Sequence, residues 1–108
     1  MTVRDLLERT GLTAAVLPED DREVTGVYIG DLLSWVMGRA QSGDAWITIM
    51  SNQNIVAVAT LADTACVILA EGVQPDEGVA ALAEQKGINV LLSPHSAYDT
   101  ALLLRDCL

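Results

Sequence analysis

Four uncharged polar side chains stand in a row at Ser51-Asn52-Gln53-Asn54, between an apolar run from Trp46 to Met50 and a charge-free run from Gln53 to Ala62. Side chains of these types accept hydrogen bonds from the free amides that open a helix, and a strand-to-helix turn is also where small anions and polar ligands land. Capping occupies one of the four, so both a cap and a ligand contact are open readings. Glu71-Gly72 closes the next apolar run. A glycine there admits close approach of a ligand or serves as a turn residue beside a solvated glutamate. Ser93-Pro94-His95-Ser96 holds the chain's only histidine. His95 with Ser93, Ser96 and Asp99 has the residue types of general-base chemistry, but a triad is defined by geometry and not by proximity in sequence. No nucleophile, metal set or oxyanion device accompanies it, so no catalytic residue is assigned. The ligand-binding candidates are the four tip residues, Glu71, Gly72, Ser93, His95 and Ser96.

Other chemistry is thin. A lone histidine without cysteine or histidine companions is not a metal set, and Cys66 and Cys107 share no metal-type spacing. Gly26-Val27-Tyr28-Ile29-Gly30 lacks the third glycine of a dinucleotide fingerprint, and no GxxxxGK[ST] loop is present. No cofactor is expected. Trp35 and Trp46 read as core or interface residues rather than stacking platforms.

The elements that must carry these residues follow from periodicity. Thr2 caps a helix that stops at Gly11, and Leu12 to Leu17 reads as a short strand closed by Pro18. Glu19 to Glu23 reads as a solvated acidic connector. From Val24 the order is strand (to Ile29), helix (Leu32 to Ala40, with Asp31 as its cap), strand (Trp46 to Met50) and helix (Gln53 to Ala62). A strand (Ala65 to Ala70), a helix opened by Pro75-Asp76-Glu77, a strand (Ile88 to Leu92) and a helix capped by Ser96 follow. Such alternation predicts an α/β fold: a single three-layer domain with a mostly parallel sheet of about five strands flanked by helices. The strand ends before Ser51, Glu71 and Ser93 then share the carboxyl edge of the sheet, where open α/β sheets bind ligands. The helix from Gln53 to Ala62 is apolar on all sides, so it is sandwiched inside the domain or also faces a second subunit.

Composition narrows the classes. The chain has 108 residues, one domain's worth, with 51 % hydrophobic residues, 4 % aromatics and no Phe, so its core is aliphatic. A formal charge of −9 argues against nucleic acid and against anionic membrane surfaces as partners. No apolar stretch reaches the roughly 18–20 residues of a membrane span. Charges interrupt what would be a signal peptide's apolar core in MTVRDLLERTG. The expectation is a cytoplasmic protein with reduced thiols.

The run Val24-Thr25-Gly26-Val27-Tyr28-Ile29-Gly30-Asp31-Leu32-Leu33 resembles the opening of a DRTGG domain. Ile55 to Ala59, Val67 to Gly72 and Ser96 to Ala101 fit the same pattern, so the resemblance runs from Val24 to the C-terminus and is less clear over residues 1–23. It implies a fold similar to the N-terminal domain of HPr kinase/phosphorylase and a regulatory or assembly role, without a kinase because the P-loop domain is absent. It also implies an association with redox or iron-only hydrogenase proteins. The chain departs from the family pattern at two places. Asn52-Gln53-Asn54 stands where many members carry an Asp-Arg pair, and Ala70-Glu71-Gly72 stands where they carry Thr-Gly-Gly. The base that would hold an anion is missing and an acid is added, which favours a neutral polar ligand, a cation-bearing ligand or a protein partner. The expected function is a non-catalytic regulatory or ligand-sensing module acting as a homo-oligomer, a dimer first. The alternative is a small-ligand-binding domain, for a nucleotide or metabolite, with its pocket at the carboxyl edge.

Overall fold

The computed structural model describes residues 1–108. Helix α1 (Val3–Thr10) opens with a capping box in which the Thr2 hydroxyl accepts from the Asp5 amide and the Asp5 carboxylate accepts from the Thr2 amide. It ends at Gly11, whose φ of 75° is the left-handed stop that glycine supplies. Strands β1 (Thr13–Val16) and β2 (Gly26–Ile29), helix α2 (Leu33–Arg39), strand β3 (Asp44–Thr48), helix α3 (Asn54–Ala62) and strand β4 (Cys66–Leu69) follow. Helix α4 (Val79–Lys86), strand β5 (Val90–Leu92) and helix α5 (Ala97–Cys107) complete the chain.

The five strands form one sheet in the order β1-β5-β4-β3-β2. β2, β3, β4 and β5 are parallel, and β1 pairs antiparallel with β5. Because each parallel strand lies beside its predecessor on the same side, right-handed crossovers put all three connecting helices on one face. Val36 of α2, Ile55, Val56, Val58 and Ala59 of α3, and Val79 and Ala83 of α4 accordingly share one buried cluster with Trp46, Val67, Leu69 and Val90. The opposite face packs Val3 and Leu6 of α1 and Leu104 of α5 against Ala45, Ile47, Cys66, Ile68 and Leu91. Alternate residues of β3 and β4 therefore feed two cores, and both strands are buried along their whole length, as apolar parallel strands require. The domain has the expected three layers.

Some boundaries and roles differ from the sequence reading. Asp31 does not cap α2. Its Oδ1 accepts from Thr48 Oγ1 (2.8 Å) and the Ile49 amide (3.0 Å), and Leu32 occupies the cap position without a side-chain bond. Pro75-Asp76-Glu77 does not open α4: the Val79 amide donates to the Asp76 carbonyl at 3.1 Å in a turn, and the helix starts only after Gly78 at φ 87°. The acidic connector is solvated, as expected, and also acts as a strap. Arg4 pairs with Asp20 at 2.9 Å, the N-terminal amine with Glu23 at 3.1 Å, and Arg22 with Asp63 at 3.1 Å. Trp46 is fully buried and donates its indole N–H to the Gly30 carbonyl at 2.9 Å, whereas Trp35 is 52 % exposed beneath the Arg39 guanidinium. α3 is buried along one side only, and Ala57, Thr60 and Leu61 face outward.

Two measurements follow from this packing. Burial pushes the Cys66 thiol up to about 12, so alkylation of the native protein followed by mass spectrometry should modify the part-exposed Cys107 and leave Cys66 unmodified until the chain unfolds. The Ser42 hydroxyl, with help from Arg22, holds the Asp63 carboxyl below its ordinary value of 3.8. The native state thus binds that proton less readily than the unfolded chain, and the stabilisation is present above the ordinary value and lost as pH falls through the lowered one. Asp63→Asn keeps a residue that tolerates the observed φ of 58°. Its stability deficit in urea titrations should be present at pH 7 and shrink as pH drops below 3.8.

Candidate functional site

The chain leaves β4 for α4 on one face and leaves β5 for α5 on the other, so the loops after these strands diverge. In open α/β sheets such a divergence at the carboxyl edge is where a crevice forms. Here it is partly stitched shut. The Glu71 amide donates to the His95 carbonyl at 2.7 Å and the Gly72 amide to the Ser93 carbonyl at 3.0 Å. Both donors sit in left-handed backbone, Glu71 at φ 61° and Gly72 at φ 72°. What remains open is a depression of about 270 Å³ walled by Gly11 and Thr13, by Gly72 and Gln74, and by Ser93 and Pro94. β1 supplies one wall because its antiparallel register places Thr13 opposite Leu92, at the carboxyl end of β5.

The sequence candidates reach this edge in different states of commitment. Ser51 is spent: its hydroxyl donates to Asp76 Oδ1 at 2.8 Å while its carbonyl accepts from the Asp76 amide at 2.9 Å. Asn52 Oδ1 accepts from the Asn54 amide at 2.9 Å, so it is the residue of the four that caps α3. Gln53 holds the formal cap position in helical backbone without capping, and its side-chain nitrogen lies 2.7 Å from where a Cβ on Gly78 would stand. Asn54 begins α3 exposed. Ser93 is 1 % exposed, and its hydroxyl is within 2.7 Å of Thr100 Oγ1 and accepts from the His95 amide at 3.2 Å. Ser96 caps α5 by accepting from the Asp99 amide at 3.0 Å. His95 is exposed and borders a separate shallow depression with Asp99, Leu102 and Asp106. The Ser93 and Ser96 hydroxyls thus serve packing and capping, not a nucleophile–base pair.

Of the sequence candidates, Gly72 and Ser93 line this depression; Glu71, the four tip residues and Ser96 are not among its walls, and His95 lines the other one. Sequence reasoning missed Gly11, Thr13 and Gln74. Only the antiparallel return of β1 beside β5 brings the first two there, and a four-residue strand carries no signal of which neighbour it will choose. It also missed Asp31 and Asp76, whose carboxylates tie neighbouring loops.

The electrostatics of the edge are one-sided. Asp31, Glu71, Asp76, Glu77 and Asp99 all lie at or beside it. Arg39, Lys86 and Arg105 stand in the last turns of helices that run back to the opposite edge. Arg4 is paired with Asp20 and Arg22 with Asp63, and Arg9 reaches the Cys107 carbonyl at 3.3 Å at the end of α5. Those six are all the arginines and lysines of the chain, so His95 is the one basic side chain at the carboxyl edge. An anionic ligand would meet repulsion there without a compensating pair.

The DRTGG domain pattern matches residues 9–107. The chain belongs to the DRTGG domain family. The match starts before Val24 and takes in β1 and the end of α1, the segment whose resemblance is least clear from sequence. Among solved structures, the fold is similar to the CBS and DRTGG domains of the regulatory region of Clostridium perfringens pyrophosphatase, complexed with its activator diadenosine tetraphosphate. The TM-score is 0.74 at 17 % identity over 94 % of this chain. The chain spans 45 % of that structure's length. No curated protein matches the sequence. No helix is long and apolar enough to cross a membrane.

The left-handed pair at the crevice gives a stability test. Nothing lies within 4 Å of a Cβ built on Gly72, so Gly72→Ala should cost about 1 kcal/mol in urea unfolding, from backbone strain alone. Glu71→Gly should move the unfolding midpoint the other way, since it relieves a non-glycine residue at φ 61°.

Proposed function

We propose that this DRTGG domain is a non-catalytic regulatory or ligand-sensing module that works as a homo-oligomer in the cytoplasm and takes a small neutral or cation-bearing polar ligand at the carboxyl edge. The observation that carries the reading is the crevice between the diverging β4 and β5 loops, joined to an edge that holds acids and no arginine or lysine. Gln74 and Thr13 offer it hydrogen-bonding side chains without charge, and the exposed Glu71 precedes its Gly72 in the chain. The activator in the pyrophosphatase regulatory region supports small-molecule sensing as a role for such regions. The same charge distribution makes a polyphosphate an unfit ligand for this chain. In this proposal the regulated partner is a redox or hydrogenase-associated protein, as the family resemblance implies.

The test is amide chemical-shift mapping of the full chain against uncharged nucleosides, a polyamine and inorganic pyrophosphate. Nucleoside or polyamine should shift Gly72, Gln74 and Ser93, and pyrophosphate should not. Gln74→Ala should weaken the responding ligand about fivefold, the worth of one neutral hydrogen bond. A response to pyrophosphate alone, or shifts only at the opposite edge, would overturn the reading.

A further inference from the structure

The helices α2, α3 and α4 form one outer layer, and its charge is unlike the rest of the chain. These three helices carry one acid, Glu84, and two bases, Arg39 and Lys86, in a protein of net charge −9. α3, the central helix, carries none. Its outward positions are Ala57, Thr60 and Leu61, and Leu61 is 74 % exposed, more than any other large apolar side chain. Leu61 is one wall of a groove of about 280 Å³ between α3 and α4, formed by Val56, Ala57, Thr60, Leu61, Leu82 and Lys86. Ala80 and Ala81 continue the flat surface onto α4, and Trp35 and Met37 stand 52 % and 46 % exposed on α2.

We propose that this layer is the surface on which a second copy of the chain docks, with the helices of the two copies antiparallel across a twofold axis. Two chains of charge −9 repel, so they can meet only where acids are sparse, and this layer is that place. The layer is also polar from end to end. Arg39 and Lys86 lie in the last turns of α2 and α4, while Asp31, Asp76 and Glu77 lie ahead of their first turns. A twofold axis perpendicular to the helices lays α2 on α2, α3 on α3 and α4 on α4 in opposite directions. Lys86 then faces Glu77 of the partner subunit, and Arg39 faces Asp31 of the partner subunit. Opposed macrodipoles add to the same preference. Each copy presents the same acid-poor surface, with Leu61 exposed on it, to the other, which is the self-complementarity of an isologous contact. The inference rests on the proposal that the domain works as a homo-oligomer and assigns that oligomer its surface.

Sedimentation equilibrium of the full chain between micromolar and hundreds of micromolar separates the two ideas. The wild type should be a dimer. Leu61→Glu should raise the dimer dissociation constant at least tenfold with the far-UV spectrum unchanged. Ile29→Glu, on the unpaired edge of β2 and 51 % exposed, should leave association intact. Glu77→Lys should weaken the dimer, and adding Lys86→Glu to it should restore the dimer. A wild type that stays monomeric overturns both the oligomer and its surface. A wild-type dimer that survives Leu61→Glu but separates with Ile29→Glu keeps the oligomer and moves it to the β2 edge. Failure of the charge exchange to restore association overturns the antiparallel arrangement.

Discussion

The handedness of the connection between parallel strands governs this molecule. Right-handed crossovers between strands laid down in one direction leave no choice about the side on which α2, α3 and α4 pack. The opposite side of the sheet must then be closed by whatever else the chain possesses, which is α1 from one end and α5 from the other. Both covering helices are tied there by specific contacts. Val3 and Leu6 are fully buried beneath α1, and Leu104 beneath α5. The acidic strap holds α1 in place through the Arg4–Asp20 pair and the bond from the Val3 amide to the Arg22 carbonyl at 3.0 Å. One consequence of the same rule is the divergence of the β4 and β5 loops, because α5 follows the last strand and is free to take the uncovered face.

Much of this was legible in the residues. The apolar runs 45–47 and 66–69 have no alternation, which marks strands buried on both faces, and every residue of β3 and β4 is buried. Thr2 and Ser96 announced two helix starts, and Gly11 a stop. The illegible parts depended on contacts between distant segments. Asp31 reads as a helix cap because aspartate before an apolar run has that meaning locally. The Thr48 hydroxyl and the Ile49 amide, brought alongside by β-pairing, take the carboxylate instead. Asp76 reads as a first-turn acid for the same local reason, and it goes to Ser51.

The candidate site divides in the same way. Gly72 and Ser93 were placed at the correct strand ends because parallel topology alone fixes them there. Their neighbours Gly11 and Thr13 belong to an antiparallel strand whose register of Thr13 with Leu92 is written nowhere in its own four residues. Ser93 shows the limit of residue type as a guide: a serine beside a histidine suggests chemistry, yet its hydroxyl is 1 % exposed and bonded to Thr100. The α3 helix was legible as apolar but not as one-sided. Its small outward residues, Ala57 and Thr60, are apolar or neutral enough to resemble core positions until the neighbouring helices are in place.

The loop contacts of the carboxyl edge form a continuous seam. Asp31 joins the end of β2 to that of β3, Ser51 and Asp76 join β3 to β4, and the Glu71 and Gly72 amides join β4 to β5. Every turn along that rim is thereby braced by the next. A molecule settling into the rim finds its contacts already fixed and forfeits little chain entropy on arrival, so discrimination there would come from shape and hydrogen-bond geometry rather than from ordering a loose loop. Bracing of this kind also runs in the other direction: a ligand that pries one tie open loosens its neighbours in turn, and the disturbance has a path of hydrogen bonds from β5 back to the opposite edge of the sheet.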